Sequence, residues 1–234
     1  MILCIETATN VCSVALIDRD GVIGIKESSI DKSHASLLSV FIEELLSEQK
    51  IKAQSLDAVA VSMGPGSYTG LRIGVSTAKG ICFGAGLPLI AINTLKSMYY
   101  GAVELYSSDP EINPKTLYCP MIDARRMEVY SSLYDLRGNE IREIKAEIIT
   151  EDSYMSFLEK SPILFFGNGS DKCLELINHT NTVFRRDYQL SASSLAIPAL
   201  YAFDKKDFAD IAYFEPYYLK DFIATIPRKN ILGK

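Results

Sequence analysis

The spacing of apolar residues outlines this chain before any single motif does. Residues 2–8 and 11–17 are apolar over strand length, and "VIGIKESS" (22–29) alternates more weakly. Helical spacing takes over at about 33–49, and a short apolar run returns at 57–63. A second helix is predicted at 68–84, then a strand at 88–92 and a helix from Thr94 to Tyr106. "SSDPEINPK" (107–115), with two prolines among polar residues, breaks the pattern. Beyond it the pattern predicts strands at 117–123, 128–135 and 140–149, then a helix at 151–160 and a strand at 162–166. A helix at 169–178, a short strand at 182–185 and a helix from Ser193 to Phe203 follow. Strand, strand, strand, helix, strand, helix thus occurs twice.

A shift of 117 positions places Ile5 on Ile122, Glu6 on Asp123, Leu16 on Leu133, Asp18 on Asp135 and Gly21 on Gly138. Each half opens with an apolar strand ending in a carboxylate and reaches a D-x-x-G hairpin turn after the second strand. We read two similar α/β lobes made by duplication, 1–106 and 107–234, with the C-terminal tail expected to return to the first lobe. This order resembles the actin/sugar kinase/Hsp70 (ASKHA, ribonuclease H-like) superfamily, which implies mixed five-stranded sheets flanked by helices. In that superfamily the opening hairpins grip the phosphates of ATP with glycine N–H groups, and a carboxylate organises Mg²⁺. Here the turns read "ETATN" (6–10) and "DARRM" (123–127), without glycine. The resemblance therefore implies a vestigial nucleotide site at most, made of Glu6, Thr7, Thr9, Asp123, Gly167 and Gly169, and no efficient ATPase.

Glycines concentrate instead in "MGPGSYTGLRIGVSTAKG" (63–80), between a strand and a helix. A phosphate-binding P-loop needs Lys after its last glycine, but Gly70 is followed by Leu71 and Arg72. A dinucleotide fingerprint fails by one residue, and a nucleophile elbow fails because Ser67 adjoins Gly66 directly. A structural role fits better: Gly64-Pro65-Gly66 turns the chain, Ser67 or Thr69 caps the helix, and Gly70, Gly74 and Ala78 share one helical face. Either the chain's own sheet or another subunit can fill that seam. Each helical glycine costs about 1 kcal/mol relative to alanine, and Gly80 and Gly84 continue the series, which favours a contact surface. Helix 33–49 adds Leu37, Leu38, Val40, Phe41, Ile42, Leu45 and Leu46, a stripe wider than one buried face, leaving Leu38, Ile42 or Leu45 for a neighbour. On this reading Gly74→Leu abolishes partner binding and leaves the monomer folded.

Composition narrows the classes further. At 234 residues and net charge −5, with basic pairs scattered at Arg125-Arg126, Arg185-Arg186, Lys205-Lys206 and Arg228-Lys229, the chain is no free-standing nucleic-acid binder. Five widely spaced cysteines without ligand spacing read as reduced core thiols of a cytoplasmic protein. The apolar N-terminus has no basic leader and is interrupted by Glu6 and Asn10, so it reads as a strand rather than a secretion signal.

Together "IETAT" (5–9), "GPGSYTGLRIG" (64–74), "IDARRMEVY" (122–130) and "EPYYLK" (215–220) closely resemble the bacterial TsaB family, also called YeaZ. The resemblance covers essentially the whole chain. It implies a non-catalytic scaffold and activator, related to the catalytic subunit TsaD, which was once described as a glycoprotease. It further implies pairing with TsaD through the first two helices, a complex joined by the ATPase TsaE, and a homodimer through the same helices when TsaD is absent. Such a complex transfers a threonylcarbamoyl group from threonylcarbamoyl-AMP to N6 of adenosine 37 in tRNAs reading ANN codons. The expected partner surface comprises His34, Leu38, Ile42 and Leu45 with Thr69, Gly70, Arg72, Ile73, Gly74, Thr77, Ala78 and Ile81. No cofactor, metal or catalytic residue is expected, and tRNA is expected to be held only through the complex.

The sequence departs from the family at Glu6, where aspartate is common, at Met127, which replaces a glycine, and at Pro198 within a predicted helix. TsaD holds a metal with two histidines four apart on a helix, but His34 is followed by Leu38 and only His179 remains. A metalloprotease stays open as a reading at this stage, as does an ATP-dependent small-molecule kinase, against which the glycine-free turns weigh.

Overall fold

The computed structural model describes residues 1–30 and 34–220; residue 33, the start of the first predicted helix, and Arg228-Lys229 lie outside them. Strand β1 (Ile2–Glu6) pairs antiparallel with β2 (Cys12–Asp18) and parallel with β4 (Ala58–Gly64). With β3 (Gly21–Ser28) and β5 (Leu89–Asn93) they form a sheet in the order β3-β2-β1-β4-β5. The second sheet contains β6 (Leu117–Asp123), β7 (Glu128–Tyr134), β8 (Glu140–Ile148), β9 (Ile163–Phe166) and β10 (Thr182–Arg185). Its order, β8-β7-β6-β9-β10, repeats the first strand for strand. In the first sheet the central strands β1 and β4 are almost wholly buried, because chain covers both faces.

Helices α1 (His34–Glu48) and α2 (Tyr68–Ala85) cover one face of the first sheet, where Leu38, Leu45 and Val75 meet Leu3, Ile5 and Val59. The opposite face is covered from far along the chain. Leu195 and Ala199, in a 3-10 turn and helix α5 (Ala196–Lys205), pack on Cys4, Ile17, Ala60 and Ile90. Helix α3 (Thr94–Leu105), which follows the first sheet in sequence, sends Leu95, Met98 and Tyr99 against Tyr118, Ile122 and Phe166 of the second. The break at 107–115 thus divides the sheets, while the helices on either side of it cross over. Lys96 fixes one crossing: its ammonium bonds the Gly138 carbonyl and lies 4.8 Å from the Tyr134 ring centre.

Two predicted helices of the second half are much reduced. Residues 151–160 retain only α4 (Met155–Leu158), because Tyr154 is left-handed at φ 67° and breaks the helical run. Residues 169–178 retain only a 3-10 turn at Asp171–Cys173. The last helix starts at Ala196 rather than Ser193, which puts Pro198 in the first turn, where its missing N–H costs nothing.

After α5 the chain returns along the first lobe as a strap. Ala209 N–H donates to the Leu89 carbonyl at 2.8 Å, and Tyr217 N–H to the Met63 carbonyl at 2.7 Å. Lys79 Nζ donates to the Phe214 carbonyl at 2.9 Å, and Lys220 pairs with Glu128 of the second lobe. Among the described residues, no helix is long and apolar enough to cross a membrane.

Residues 1–106 on their own would leave the β-face under Leu195 and Ala199 open to water. That fragment is expected to lack a near-UV circular dichroism signal and to self-associate on gel filtration, whereas the whole chain unfolds in one cooperative transition.

Candidate functional site

The glycine segment answers to the turn between β1 and β2. A Cβ on Gly66 would run into the backbone of Ala8, and one on Gly70 into the Thr7 carbonyl. At Gly74 it would meet Thr7 Oγ1. Three hydrogen bonds tie the same surfaces together or shape them. Ser67 N–H donates to the Ala8 carbonyl at 2.7 Å, Thr7 Oγ1 to the Gly70 carbonyl at 2.8 Å, and Gly70 N–H to the capping Ser67 hydroxyl at 3.3 Å. The small face of α2 is therefore an internal seam, and its partner is the opening turn of the chain itself.

Much of the expected partner surface faces inward. Gly70, Gly74 and Ala78 are buried against the chain's own elements. So are Leu38, Ile42 and Leu45, which face the first sheet, and His34, whose Nε2 lies 3.3 Å from the Val11 carbonyl. Thr69 and Arg72 are exposed, and Ile73, Thr77 and Ile81 are half-buried. Residues not in that set occupy the open side: Val40 is 42% exposed, Phe83 is 85% exposed, and Gly80 and Gly84 face empty space. Leu37 and Phe41 of α1 are half-buried and pack against the core of the first sheet. Arg72 is used internally: its Nε donates to the Tyr218 hydroxyl at 3.2 Å, and its guanidinium lies 4.3 Å from the Tyr68 ring centre.

The carboxylates of the two opening turns bond within the chain. Glu6 is fully buried, accepts Ala8 N–H at 2.6 Å and bonds the Ser62 hydroxyl. Desolvation raises its pKa to about 7 despite those donors. Thr7 is spent on Gly70, and Thr9 Oγ1 accepts Val11 N–H at 3.3 Å. In the second turn Lys172 bonds the Asp123 carboxylate, the Arg126 carbonyl at 2.9 Å and the Glu128 carbonyl at 2.5 Å. Gly167 lies against Met98 and Met121, and Gly169 against Ile122, so their close approaches are internal too.

Beside the first turn lies a cleft of about 180 Å³, bordered by Thr9, Asn10, Met98, Gly167, Asn168 and Tyr188, and none of the described residues that line it is charged. These residues offer neutral hydrogen-bonding groups. Among the described residues no group of three His, Cys, Asp or Glu is placed to hold a metal. All five cysteines are buried and free, and burial pushes the Cys12 and Cys82 thiols up to about 11, away from nucleophilic use.

Two five-stranded sheets of matching order, with helices exchanged across the break between them, define a two-lobed α/β protein. The model of the family described as "TsaD: tRNA N6-adenosine threonylcarbamoyltransferase" matches residues 11–228. The TsaB protein of Escherichia coli is 30% identical over 100% of this chain and 99% of its own. That of Haemophilus influenzae is 37% identical over 56% of this chain and 52% of its own, so this second match spans about half of each. YeaZ from Pseudomonas aeruginosa superposes with a TM-score of 0.80 at 22% identity, over 93% of this chain and 99% of that one. The chain belongs to the TsaB family.

Replacing Gly74 by Leu is expected to destabilise the monomer by about 1–3 kcal/mol or more through overpacking against Thr7. Gly84→Leu, which enters open space, is expected to leave stability unchanged or raise it by up to about 1 kcal/mol. Urea titration of both variants tests this reversal of the sequence-based expectation. Glu6 gives a second test. Its folded pKa lies above its unfolded value, so its contribution is complete below about 4.5 and is lost as pH rises through about 7. Wild type is expected to lose up to about 3 kcal/mol relative to Glu6→Gln across that window, and parallel stability curves would refute it.

Proposed function

We propose that this chain is a non-catalytic scaffold and activator in the formation of threonylcarbamoyladenosine in tRNA, and that it acts in the cytoplasm by docking on a TsaD subunit. Membership of the TsaB family supports the pathway, since curated relatives are named tRNA threonylcarbamoyladenosine biosynthesis proteins. The observation that carries the non-catalytic reading is the occupation of both turns: Glu6 is buried on Ser62, and Asp123 is neutralised by Lys172. Carboxylates held in this way are not available to organise a metal-bound phosphate.

The docking face in this reading is the outward side of α1 and α2, with Val40 and Phe83 as apolar anchors and Gly80 and Gly84 as the floor that admits a partner helix. A homodimer through the same face forms when TsaD is absent, TsaE joins the complex, and tRNA is bound through the assembly.

Purification with TsaD of the same organism, followed by a threonylcarbamoyl transfer assay, tests the whole reading. Phe83→Asp and Gly84→Leu are each expected to abolish association in sedimentation and to reduce transfer to the level of TsaD alone, with monomer stability retained. Full association of both variants overturns the docking face, and transfer by this chain alone overturns the non-catalytic role.

A further inference from the structure

The turn between β6 and β7 holds two features that its sealing by Lys172 does not use. Arg125 and Arg126 are both exposed and both left-handed, at φ 70° and 53°. Two consecutive non-glycine residues in that region are held against their own preference. The clamp is Lys172, which bonds the Arg126 and Glu128 carbonyls and fixes the backbone from inside while both arginine side chains lie outside.

The surrounding charges are already matched. Asp123 is paired with Lys172, Asp171 with Arg186, and Glu128 with Lys220. Tyr130 lies within electrostatic reach of both Arg125 and Lys220, which joins the turn to the end of the strap. Among the described residues neither Arg125 nor Arg126 forms an ion pair. Each of these three carboxylates therefore has its own cation, and among the described residues the two guanidinium groups have no carboxylate partner, on a chain of net charge −5.

We infer that the Arg125-Arg126 turn is a contact for the sugar-phosphate backbone of RNA, engaged when the chain sits in its complex. Guanidinium groups bind phosphate oxygens through paired N–H donors, and two on one turn suit successive phosphates of a strand. The acidity of the remaining surface keeps such a contact weak for the isolated chain. Location supports the assembled state: Tyr218 of the strap holds Arg72 at the start of α2, and Lys220, two residues on, holds Glu128 beside the turn. The basic turn thus adjoins the same strap that flanks the proposed docking face. This inference rests on the proposed role in tRNA modification.

The test uses the complete complex with an unmodified tRNA transcript, titrated by fluorescence anisotropy at several salt concentrations. Arg125→Asn with Arg126→Asn removes both charges, and asparagine tolerates left-handed backbone, so the turn is retained. Losing two phosphate contacts is expected to reduce the slope of log affinity against log salt by about 2, and to shrink the salt effect between about 50 and about 200 mM by roughly tenfold. Arg125→Lys with Arg126→Lys is expected to keep the wild-type slope. If the paired asparagine variant assembles poorly, Arg126→Asn alone carries the test with a slope loss of about 1. An unchanged slope and affinity overturn the inference. Transfer that proceeds with an unchanged slope removes the contact and leaves the proposed function standing. An arginine-dependent slope without transfer does the reverse.

Discussion

The structure depends on one close approach: the glycine face of α2 pressed onto the turn between β1 and β2. Gly66, Gly70 and Gly74 bring helix backbone within reach of Thr7 and Ala8, and the bonds from Ser67 and Thr7 hold it there. No larger side chain fits at those positions without moving a central strand end. The helical glycines are offset by this contact, which buries the Glu6 carboxyl and directs the opposite side of α2 outward. Inside and outside of the helix are settled by the same packing.

A second constraint follows from the exchanged helices. Because α5 closes the first sheet and α3 packs on the second, neither sheet has a complete core without the other half of the chain. The strap adds a third link, from Leu89 and Met63 in the first lobe to Glu128 in the second. Lobes joined in this way present fixed surfaces, and fixed surfaces reduce the ordering cost of association.

Much of the fold was legible because it rests on periodicity. Both sheets, the duplicated order and the helices α1, α2 and α3 follow from two- and 3.6-residue spacing, which burial on one side produces directly. The shortened second-lobe helices were not legible, since nothing in "EDSYMSFLEK" announces that Tyr154 turns left-handed. The site was half legible. Spacing showed that Gly70, Gly74 and Ala78 share a face, but a shared face does not say which neighbour it meets. Thr7 supplies that neighbour from 63 positions earlier than Gly70. For the same reason Leu38, Ile42 or Leu45 was expected to face a neighbour, whereas all three point to the sheet. Ser62 and Lys172, which bond the two carboxyl groups, lie too far along the chain from Glu6 and Asp123 for any local pattern to pair them.

The two opening turns reach neutrality by different physics, and the difference separates their outer surfaces. Glu6 is removed from water, where burial favours the protonated form and a hydroxyl neighbour completes its bonding. That solution requires a sealed turn, which glycine packing provides. Asp123 remains exposed and is matched by an ammonium group, which needs no burial and leaves the turn free to carry side chains outward. A duplicated fold has therefore produced one turn committed to the core and one open to solvent. The open turn is where charge directed at another molecule can be carried without cost to the interior.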